Sequence, residues 1–285
     1  MTRIAVTGAS GKLGAATVEF LLESGVPPRD LTAVVRDSNK AAALSKRGIQ
    51  IRRADYNDAT SLENAFRGIE RLAFISTSAL GDERMRQHTN EVNAARTAGV
   101  GHIFYTSVIK PAADAKFAAS PGHYHTEALI QDSGIPHTFF RNNLYMDLVP
   151  LMFGSAQATG RLAHNGGAGR IGFVARQDIA EALATSLSLE AQAGRTYAIT
   201  APTPYSLADV AAALAKSSMK PIVYEPLTSE DFRKVLQSIP LPPAAVDLSV
   251  ALGEAIRAGE FDAGSNDVEQ LMGRAPLTLD AFLKG

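Results

Sequence analysis

A glycine-rich turn close to the start of the chain, VTGASGKLG, separates a short apolar strand from an amphipathic helix. Gly8 suits the tight turn, Gly11 allows the backbone to approach a pyrophosphate, and Gly14 allows the helix to pack closely on the strand. The helix N-terminus adds unpaired N–H groups and the positive end of a dipole. The pattern predicts a βαβ fold that holds a dinucleotide on Gly8, Ala9, Ser10, Gly11, Lys12 and Leu13. A turn that serves packing alone is the alternative.

Short β-rich runs and helical stretches alternate from the start of the chain to about Asn143. Runs such as AVV and LAFI are apolar without interruption, which is typical of strands buried on both faces of a parallel sheet. Several helical stretches end at a glycine, the residue that most easily adopts the left-handed C-terminal conformation: Gly25, Gly48, Gly68, Gly99 and Gly134. The chain is therefore predicted to be an α/β protein with a Rossmann-type doubly wound parallel sheet.

The pattern loosens after Asn143, which indicates a second, smaller unit. IGFVA is read as a strand, a helix is expected to begin near Gln177, and RTYAIT is expected to join the main sheet. Prolines recur from Pro202 onwards and divide the chain into short helices. We expect an NAD(P)-binding domain of residues 1–145 with about 175–200. A smaller C-terminal α/β domain of residues 146–174 with 201–285 would cover the carboxyl ends of the strands on the substrate side.

Composition excludes several classes of function. The chain has no cysteine, and therefore no disulfide, thiolate nucleophile or Cys-ligated metal site. Its net charge of -1 comes without a basic stripe, which argues against nucleic acid as a partner. No run approaches the ~20 apolar residues of a membrane helix. We expect a cytoplasmic protein without a membrane segment, and the sequence is compatible with a homo-oligomer.

The end of the second strand decides which dinucleotide is favoured. The strand ends VVRD, with Arg36 where an arginine suits a 2′-phosphate and Asp37 beside it. Lys12 adds a positive charge on the adjacent turn. NADPH is therefore the expected cofactor, while Asp37 leaves NADH open and a solvated surface role for Arg36 is the alternative. Asp55 and Tyr56, at the end of the third strand, are candidates for contact with the adenine.

Six stretches together resemble a known family: VTGASGKLG, AVVRD, RRADYND, AARTAGVGHIFYTS, HYHTEALIQDSGIPHTFFRNNLY and ARQDIAEALA. In this order they are similar to atypical short-chain dehydrogenases/reductases of the NmrA-like group, especially its bacterial NAD(P)H:quinone oxidoreductases and its triphenylmethane reductases. They extend from residue 1 to about 190, with a weaker likeness in LTSEDF. The resemblance implies a Rossmann domain with a small C-terminal domain, and NADPH bound across the strand ends.

The resemblance also implies further site residues. The loop after the fourth strand would follow the nicotinamide side of the cofactor through Ser76, Thr77 and Ser78. The nicotinamide or the substrate would be flanked by Asn142, Asn143 and Tyr145. Arg176 matches a cofactor-contacting arginine; a helix-start residue paired with Asp178 or Glu181 is the alternative. Ser107 matches the serine of the ordinary short-chain triad, and a serine that caps a turn is equally compatible.

The stretch SPGHYHTEAL departs from the family pattern. Aligned on Glu127, it places His123 where the usual lysine stands and Ala119 where the tyrosine stands, so the Tyr-x-x-x-Lys pair is absent. With a pKa near ~6.5, His123 is a candidate hydrogen-bond donor to the acceptor oxygen, and a surface histidine before a helix is the alternative. His123 and His125 are not expected to hold a metal, because helix positions i and i+2 point to different sides.

The missing pair points to the class of acceptor. An isolated ketone needs a nearby acid when hydride is added, whereas a quinone yields a delocalised phenolate whose conjugate acid has a pKa near ~10. We therefore expect an NADPH-dependent reductase that transfers hydride directly to a quinone-like or other conjugated aromatic acceptor, aided by Ser107, His123, Asn142 and Tyr145. The main alternative is a non-catalytic NAD(P)-binding redox-sensing regulator. An isoflavone-reductase-like enzyme and a sugar-nucleotide epimerase are disfavoured by the absent lysine.

Overall fold

The computed structural model describes residues 2–284. Within them the strands are β1 (Ile4–Val6), β2 (Leu31–Val35), β3 (Gln50–Arg53), β4 (Arg71–Phe74), β5 (His102–Val108), β6 (His137–Asn142), β7 (Arg161–His164), β8 (Arg170–Ile171), β9 (Arg195–Ile199), β10 (Tyr205–Ser206) and β11 (Val223–Pro226). The helices are α1 (Lys12–Glu23), α2 (Ala42–Lys46), α3 (Ala59–Phe66), α4 (Gly81–Thr97), α5 (Ser120–Asp132), α6 (Val149–Phe153), α7 (Ala156–Thr159), α8 (Arg176–Ser188), α9 (Leu207–Ser218), α10 (Ser229–Gln237), α11 (Pro243–Arg257), α12 (Asp267–Met272) and α13 (Leu279–Phe282).

Seven of these strands form one parallel sheet in the order β3-β2-β1-β4-β5-β6-β9. The order runs outward in both directions from the β1–β4 pair, so the strand sequence reverses between them. In open α/β sheets a ligand crevice opens at such a switch point, beyond the carboxyl ends of the strands. The predicted Rossmann-type doubly wound sheet is confirmed, and RTYAIT joins it as β9.

Helices cover both faces of the sheet, as the uninterrupted apolar runs predict. On one face α1 packs against α8, and their apolar side chains share a core with β1 and β2. On the other face α3, α4 and α5 lie side by side over a second core that includes Phe66, Phe74 and Tyr105. The five glycines expected to end helical stretches all have positive φ, between 73° and 89°.

A third apolar cluster lies in the later part of the chain and draws on α6, α9, α11 and α13. Two small sheets accompany it: β7 pairs in parallel with β11, and β8 pairs antiparallel with β10. The predicted strand IGFVA is wrong in extent, because the paired strand is Arg170–Ile171 and Val174 forms an isolated parallel bridge with Tyr145. The Gly172 N–H instead donates a hydrogen bond to Phe261 O at 3.2 Å. The division into two domains stays a prediction.

Two further comparisons concern helix positions. The helix predicted near Gln177 begins at Arg176, and the helix that follows β5 begins at Ser120. His123 and Tyr124 therefore lie inside α5 and not before it. None of the helices in the described range is long and apolar enough to cross a membrane.

Candidate active site

A cleft of about 710 Å³ lies over the carboxyl ends of the central strands. Most of the residues proposed from the sequence line it: Gly8, Ser10, Gly11, Lys12, Leu13, Arg36, Asp55, Tyr56, Ser76, Thr77, Ser78, Tyr145 and Arg176. The structure adds residues that the sequence reading did not name: Lys40, Ala79, Glu83, Gln87 and Thr106. Strand order places Arg36 and Tyr56 towards the β3 edge and Tyr145 beyond β6, so the cleft crosses the switch point between β1 and β4.

The glycine-rich turn forms the floor of the cleft. Gly8 has φ +58°, and Gly11 N–H donates to Gly8 O at 2.8 Å, which closes the turn. A Cβ on Gly14 would lie 2.4 Å from Gly8 O and 2.9 Å from Ala9 Cα, so the helix can sit this close only with glycine there. Gly11 precedes α1 without a side-chain cap, which leaves the first N–H groups of this helix for an anion. Ala9 is fully buried beneath the turn.

Positive charge gathers beside the turn. Arg36, Lys40 and Lys12 all line the cleft, and none of them forms an ion pair with a carboxylate in residues 2–284. Asp37 does not line it; its carboxylate caps the following 3-10 turn by accepting from Asn39 N–H at 3.0 Å. Three unpaired cations on one wall suit a phosphate group. Lys40 could have been found from its position four residues after Arg36.

The loop between β4 and α4 is held from beneath by a buried arginine. Arg84 is 4% exposed, and its guanidinium donates to Thr77 O and to Ala79 O, both at 2.8 Å. Its third contact is His123 Nε2 at 2.8 Å. Arg84 passes beside Gly122 of α5, where a Cβ would lie 2.5 Å from Arg84 Cδ. The loop that lines the cleft is therefore fixed by a cation buried between two helices.

The hydrogen-bond partners define the state of two buried histidines. A guanidinium can only donate, so His123 Nε2 accepts from Arg84 and its Nδ1–H donates to Tyr105 Oη at 2.7 Å. His88 Nε2 accepts from Thr77 N–H at 3.2 Å, and its Nδ1 lies 2.8 Å from Thr126 Oγ1. Burial and the nearby Arg84 charge lower the pKa of His88 to about 3 and hold that of His123 well below its usual value. Both rings are neutral at physiological pH.

We expect these histidines to make the protein sensitive to mild acid. His88 and His164 have pKa values of about 3 and about 4 in the folded protein, both lowered chiefly by burial, against ~6.5 in the unfolded chain. As pH falls below ~6.5, the unfolded chain binds protons that the folded protein does not. The free energy of unfolding should fall by ~1.4 kcal/mol per pH unit for each such proton. Denaturant titrations between pH 7 and pH 5 measure this slope.

A buried carboxyl group acts in the opposite direction and reduces the fall of the free energy of unfolding with pH. Glu91 is fully buried, and burial raises the pKa of its carboxyl well above the usual range, so it offsets one histidine. The net effect still favours destabilisation in acid, because His88, His123 and His164 act together. His88→Gln should reduce the slope, whereas His125→Gln, at an exposed position, should leave it unchanged. A free energy of unfolding that is flat from pH 7 to pH 5 would contradict the assignment.

Five of the residues proposed from the sequence do not line the cleft: Ala9, Ser107, His123, Asn142 and Asn143. His123 is buried inside α5, so the alternative of a surface histidine before a helix is wrong. Its two ring nitrogens are engaged by Arg84 and Tyr105. Ser107 and Asn142 are also buried, and Ser107 Oγ and Asn142 Oδ1 have no hydrogen-bond partner within the described residues. Their direct contact with an acceptor stays a prediction.

Tyr145 and Arg176 lie at the end of the cleft beyond β6. Asn142 Nδ2 donates to Tyr145 Oη at 3.3 Å, and the Arg176 guanidinium lies 5.8 Å from the centre of the tyrosine ring. Arg176 starts α8 as the structural alternative expected, but its partner is Asp147, at 2.5 Å, and not Asp178 or Glu181. Those two carboxylates bind Arg274 instead.

Asn143 has a different place from its neighbours. Its Nδ2 donates to Thr200 Oγ1 at 3.1 Å and to Phe261 O at 2.9 Å, and its Oδ1 accepts from Leu144 N–H. Every polar atom of this buried amide is therefore hydrogen-bonded, and Asn143 links β6 to the later part of the chain.

Within residues 2–284 no group of three His, Asp or Glu side chains is arranged to hold a metal ion.

A family model, a sequence relative and a solved structure all match nearly the whole chain. The model of the NmrA-like family matches residues 1–282. Quinone oxidoreductase 2 of Escherichia coli is 36% identical over 277 residues, which are 97% of this chain and 96% of that protein. The crystal structure of the Escherichia coli NADPH-dependent enzyme in complex with NADPH superimposes with a TM-score of 0.93 at 34% identity and covers 98% of both chains.

Two other relatives are also reductases by name. The structure of the triphenylmethane reductase of a Citrobacter species, complexed with NADP(H), has a TM-score of 0.92 at 34% identity and covers 99% of both chains. The NAD(P)H azoreductase of Xenophilus azovorans is 27% identical over 284 residues, 99% of this chain and 96% of that protein.

Proposed function

The chain belongs to the NmrA-like family, and on that premise we propose that it is an NADPH-dependent reductase of quinones or other conjugated aromatic acceptors. The cleft carries this proposal. It combines a glycine turn that a single Cβ would fill, the cations of Lys12, Arg36 and Lys40, which form no ion pair within residues 2–284, and the Tyr145–Arg176 end beyond β6. These features fit the diphosphate, the 2′-phosphate and the nicotinamide of NADPH in that order.

Each part of the cofactor would be held by a different group of residues. The N–H groups of Lys12 and Leu13 would bind the diphosphate, and Arg36 with Lys40 would bind the 2′-phosphate. Residues 76–79 would support the nicotinamide side, where Arg84 fixes the loop from beneath. When bound, NADPH supplies the hydride. The relatives described by name as acting with NADPH or NADP(H) support this choice over NADH.

The acceptor would be one that needs little proton donation. His123, which takes the place of the usual lysine, is buried, and both of its nitrogens are already engaged. Burial raises the pKa of the Tyr145 phenol, which makes it a weak acid near neutrality. A delocalised phenolate or a neutralised dye cation does not require a stronger one. The residues here would position the acceptor and exclude water, which accounts for much of the rate in such reactions.

The test is oxidation of NADPH, followed by its absorbance, with a panel of benzoquinones, naphthoquinones and triarylmethane dyes. A reductase of this class should accelerate NADPH loss with at least one conjugated acceptor and leave simple aliphatic ketones unreduced. Tight NADPH binding with no acceleration by any acceptor would overturn the reductase and favour the redox-sensing regulator. Failure to bind either nucleotide would overturn both.

Arg36→Ala tests the 2′-phosphate assignment. Charge-assisted hydrogen bonds contribute about 1.5–3 kcal/mol, so the Kd for NADPH should rise by roughly 10- to 100-fold. The Kd for NADH should change by less than about threefold, because NADH lacks the phosphate. Lys46→Ala, which removes an exposed cation on α2, should leave both Kd values unchanged. Equal losses for the two cofactors in Arg36→Ala would refute the role.

A further inference from the structure

The loop between β5 and α5, residues 109–119, has two neighbouring backbone N–H groups that donate to a single side chain. Lys116 N–H donates to Glu260 Oε1 at 2.7 Å, and Phe117 N–H donates to Glu260 Oε2 at 3.0 Å. The Phe117 ring also contacts the Phe261 ring edge to face, with 5.2 Å between the ring centres. Two charge-assisted hydrogen bonds and an aromatic contact thus hold this part of the loop on the turn after α11.

The beginning of the loop is held on the same turn. Lys110 has φ +45°, a conformation that is unfavourable for a residue with a Cβ and persists only where surrounding contacts maintain it. Its ammonium group donates to Gly259 O at 3.0 Å and to Asp262 O at 2.7 Å. Residues 110–117 are therefore attached at both ends to residues 259–262, although the two segments lie far apart in the sequence.

The loop leaves the sheet next to the Tyr145 end of the cleft. Ile109 N–H donates to Asn142 O at 2.8 Å, Asn142 Nδ2 donates to Tyr145 Oη, and this tyrosine lines the cleft. The Ile109 side chain packs in the same apolar cluster as Leu144 and Met146, which flank the tyrosine in sequence. The loop therefore lies beside the place where the nicotinamide and the acceptor are proposed to meet.

We propose that Glu260 positions the β5–α5 loop as one wall of the acceptor site and thereby determines how tightly the acceptor binds. This inference rests on the proposed reduction of an aromatic acceptor. Phe117 is only partly buried against the apolar cluster beside Tyr145, so its ring offers apolar surface to a flat conjugated molecule. None of residues 109–119 lines the cleft assigned to the cofactor, so the loop would serve the acceptor and not NADPH. Glu260 acts through the loop and is a positioning residue.

Glu260→Ala tests the proposal through acceptor kinetics at saturating NADPH. The KM for a naphthoquinone should rise about tenfold, because two charge-assisted hydrogen bonds no longer fix the loop, while kcat stays within about threefold. The Kd for NADPH should stay within about twofold of the wild-type value, because residues 109–119 do not line its cleft. Lys110→Met, which releases the other end of the loop, should raise the KM in the same way. Glu254→Gln is the control: its carboxylate lies 4.0 Å from Lys116 Nζ and binds no backbone N–H of the loop, so the KM should not change.

Hydrogen exchange at the Lys116 and Phe117 amides tests the contact itself, without an acceptor. Both amides should be protected in the wild-type protein, because each donates to the Glu260 carboxylate. In Glu260→Ala they should exchange at least about tenfold faster, whereas Glu254→Gln should keep the protection. Unprotected amides in the wild-type protein would overturn the role of Glu260.

The outcomes separate this inference from the proposed function. Fast amide exchange in Glu260→Ala with an unchanged KM would show that the loop is not a wall of the acceptor site. Equal rises of the KM and of the Kd for NADPH would show a general loss of structure; either result overturns the role of Glu260 and leaves the reductase standing. If the wild-type protein reduces no acceptor, the proposed function fails and the acceptor role of the loop fails with it. Thermal melting of each variant verifies that the changes come from folded protein.

Discussion

Gly14→Ala is expected to raise the Kd for NADPH by roughly 100-fold or more, because each ~1.4 kcal/mol lost is a factor of ten in binding. The added Cβ would lie 2.4 Å from Gly8 O and 2.8 Å from Gly8 C. Both are backbone atoms of the turn itself, so no flexible side chain can move aside. The turn must shift away from α1, and the N–H groups proposed to bind the phosphates shift with it. Titration of the dihydronicotinamide fluorescence measures the Kd.

Gly11→Ala is the variant with the milder steric conflict, and its Kd for NADPH is compared with that of Gly14→Ala. Its Cβ would lie 3.1 Å from the same Gly8 O, a contact that a displacement of a few tenths of an ångström relieves. We therefore expect a smaller loss of affinity than in Gly14→Ala. Overpacking of this kind costs ~1–3 kcal/mol, so both variants should remain folded at 25 °C. Tight NADPH binding by Gly14→Ala would show that the turn does not hold the diphosphate.

Arg84→Met is expected to have the largest effect on stability. The substitution leaves the part-buried Thr77 O and Ala79 O without the donor that they share, and it leaves the buried His123 Nε2 without its donor. An unpaired buried acceptor costs ~1–3 kcal/mol and a part-buried one costs less, so the free energy of unfolding should fall by roughly 1–4 kcal/mol. Because residues 76–79 line the cleft, the Kd for NADPH should also rise by about tenfold. Denaturant unfolding and cofactor titration measure the two effects separately.

Arg86→Met is the matched control on the same helix, since Arg86 is exposed two residues away. It should change neither stability nor Kd. Arg84→Lys retains a positive charge but cannot span both carbonyls with a planar fork, so it should recover only part of the binding loss. If Arg84→Met unfolds like the wild-type protein and binds NADPH equally well, the buried arginine does not position the loop.

Much of the fold follows from local patterns that the sequence displays directly. The glycine turn, the apolar runs and the glycine stops are set by interactions within a few residues, and they placed the sheet and the cleft floor correctly. The strand predicted for IGFVA is shorter than expected because its extent depends on distant partners. Gly172 lies against Thr200 and Ala263, about which the local sequence says nothing. The same is true of Arg176, whose carboxylate partner is Asp147 on an earlier segment.

The polar residues of α4 show the limit of sequence reading at the site. Arg84, Gln87, His88 and Glu91 recur at the spacing of one helix face, and such a stripe of polar residues is usually solvent-exposed. Here the stripe is buried. Arg84 and His88 find partners on α5 and on the loop after β4, and only the folded chain brings these groups together. Gln87 and Arg84 were therefore missed, although their periodicity was visible.

The closeness of Arg84 to His123 also bears on how this fold could change its chemistry. A charged lysine at position 123 would stand beside the buried Arg84 guanidinium, and two like charges so close disfavour each other. We expect such a lysine to lose its proton and with it the charge that enhances the acidity of a neighbouring tyrosine. A working tyrosine–lysine pair in this fold should therefore need a second change, at position 84. That change would release residues 76–79, which line the cleft.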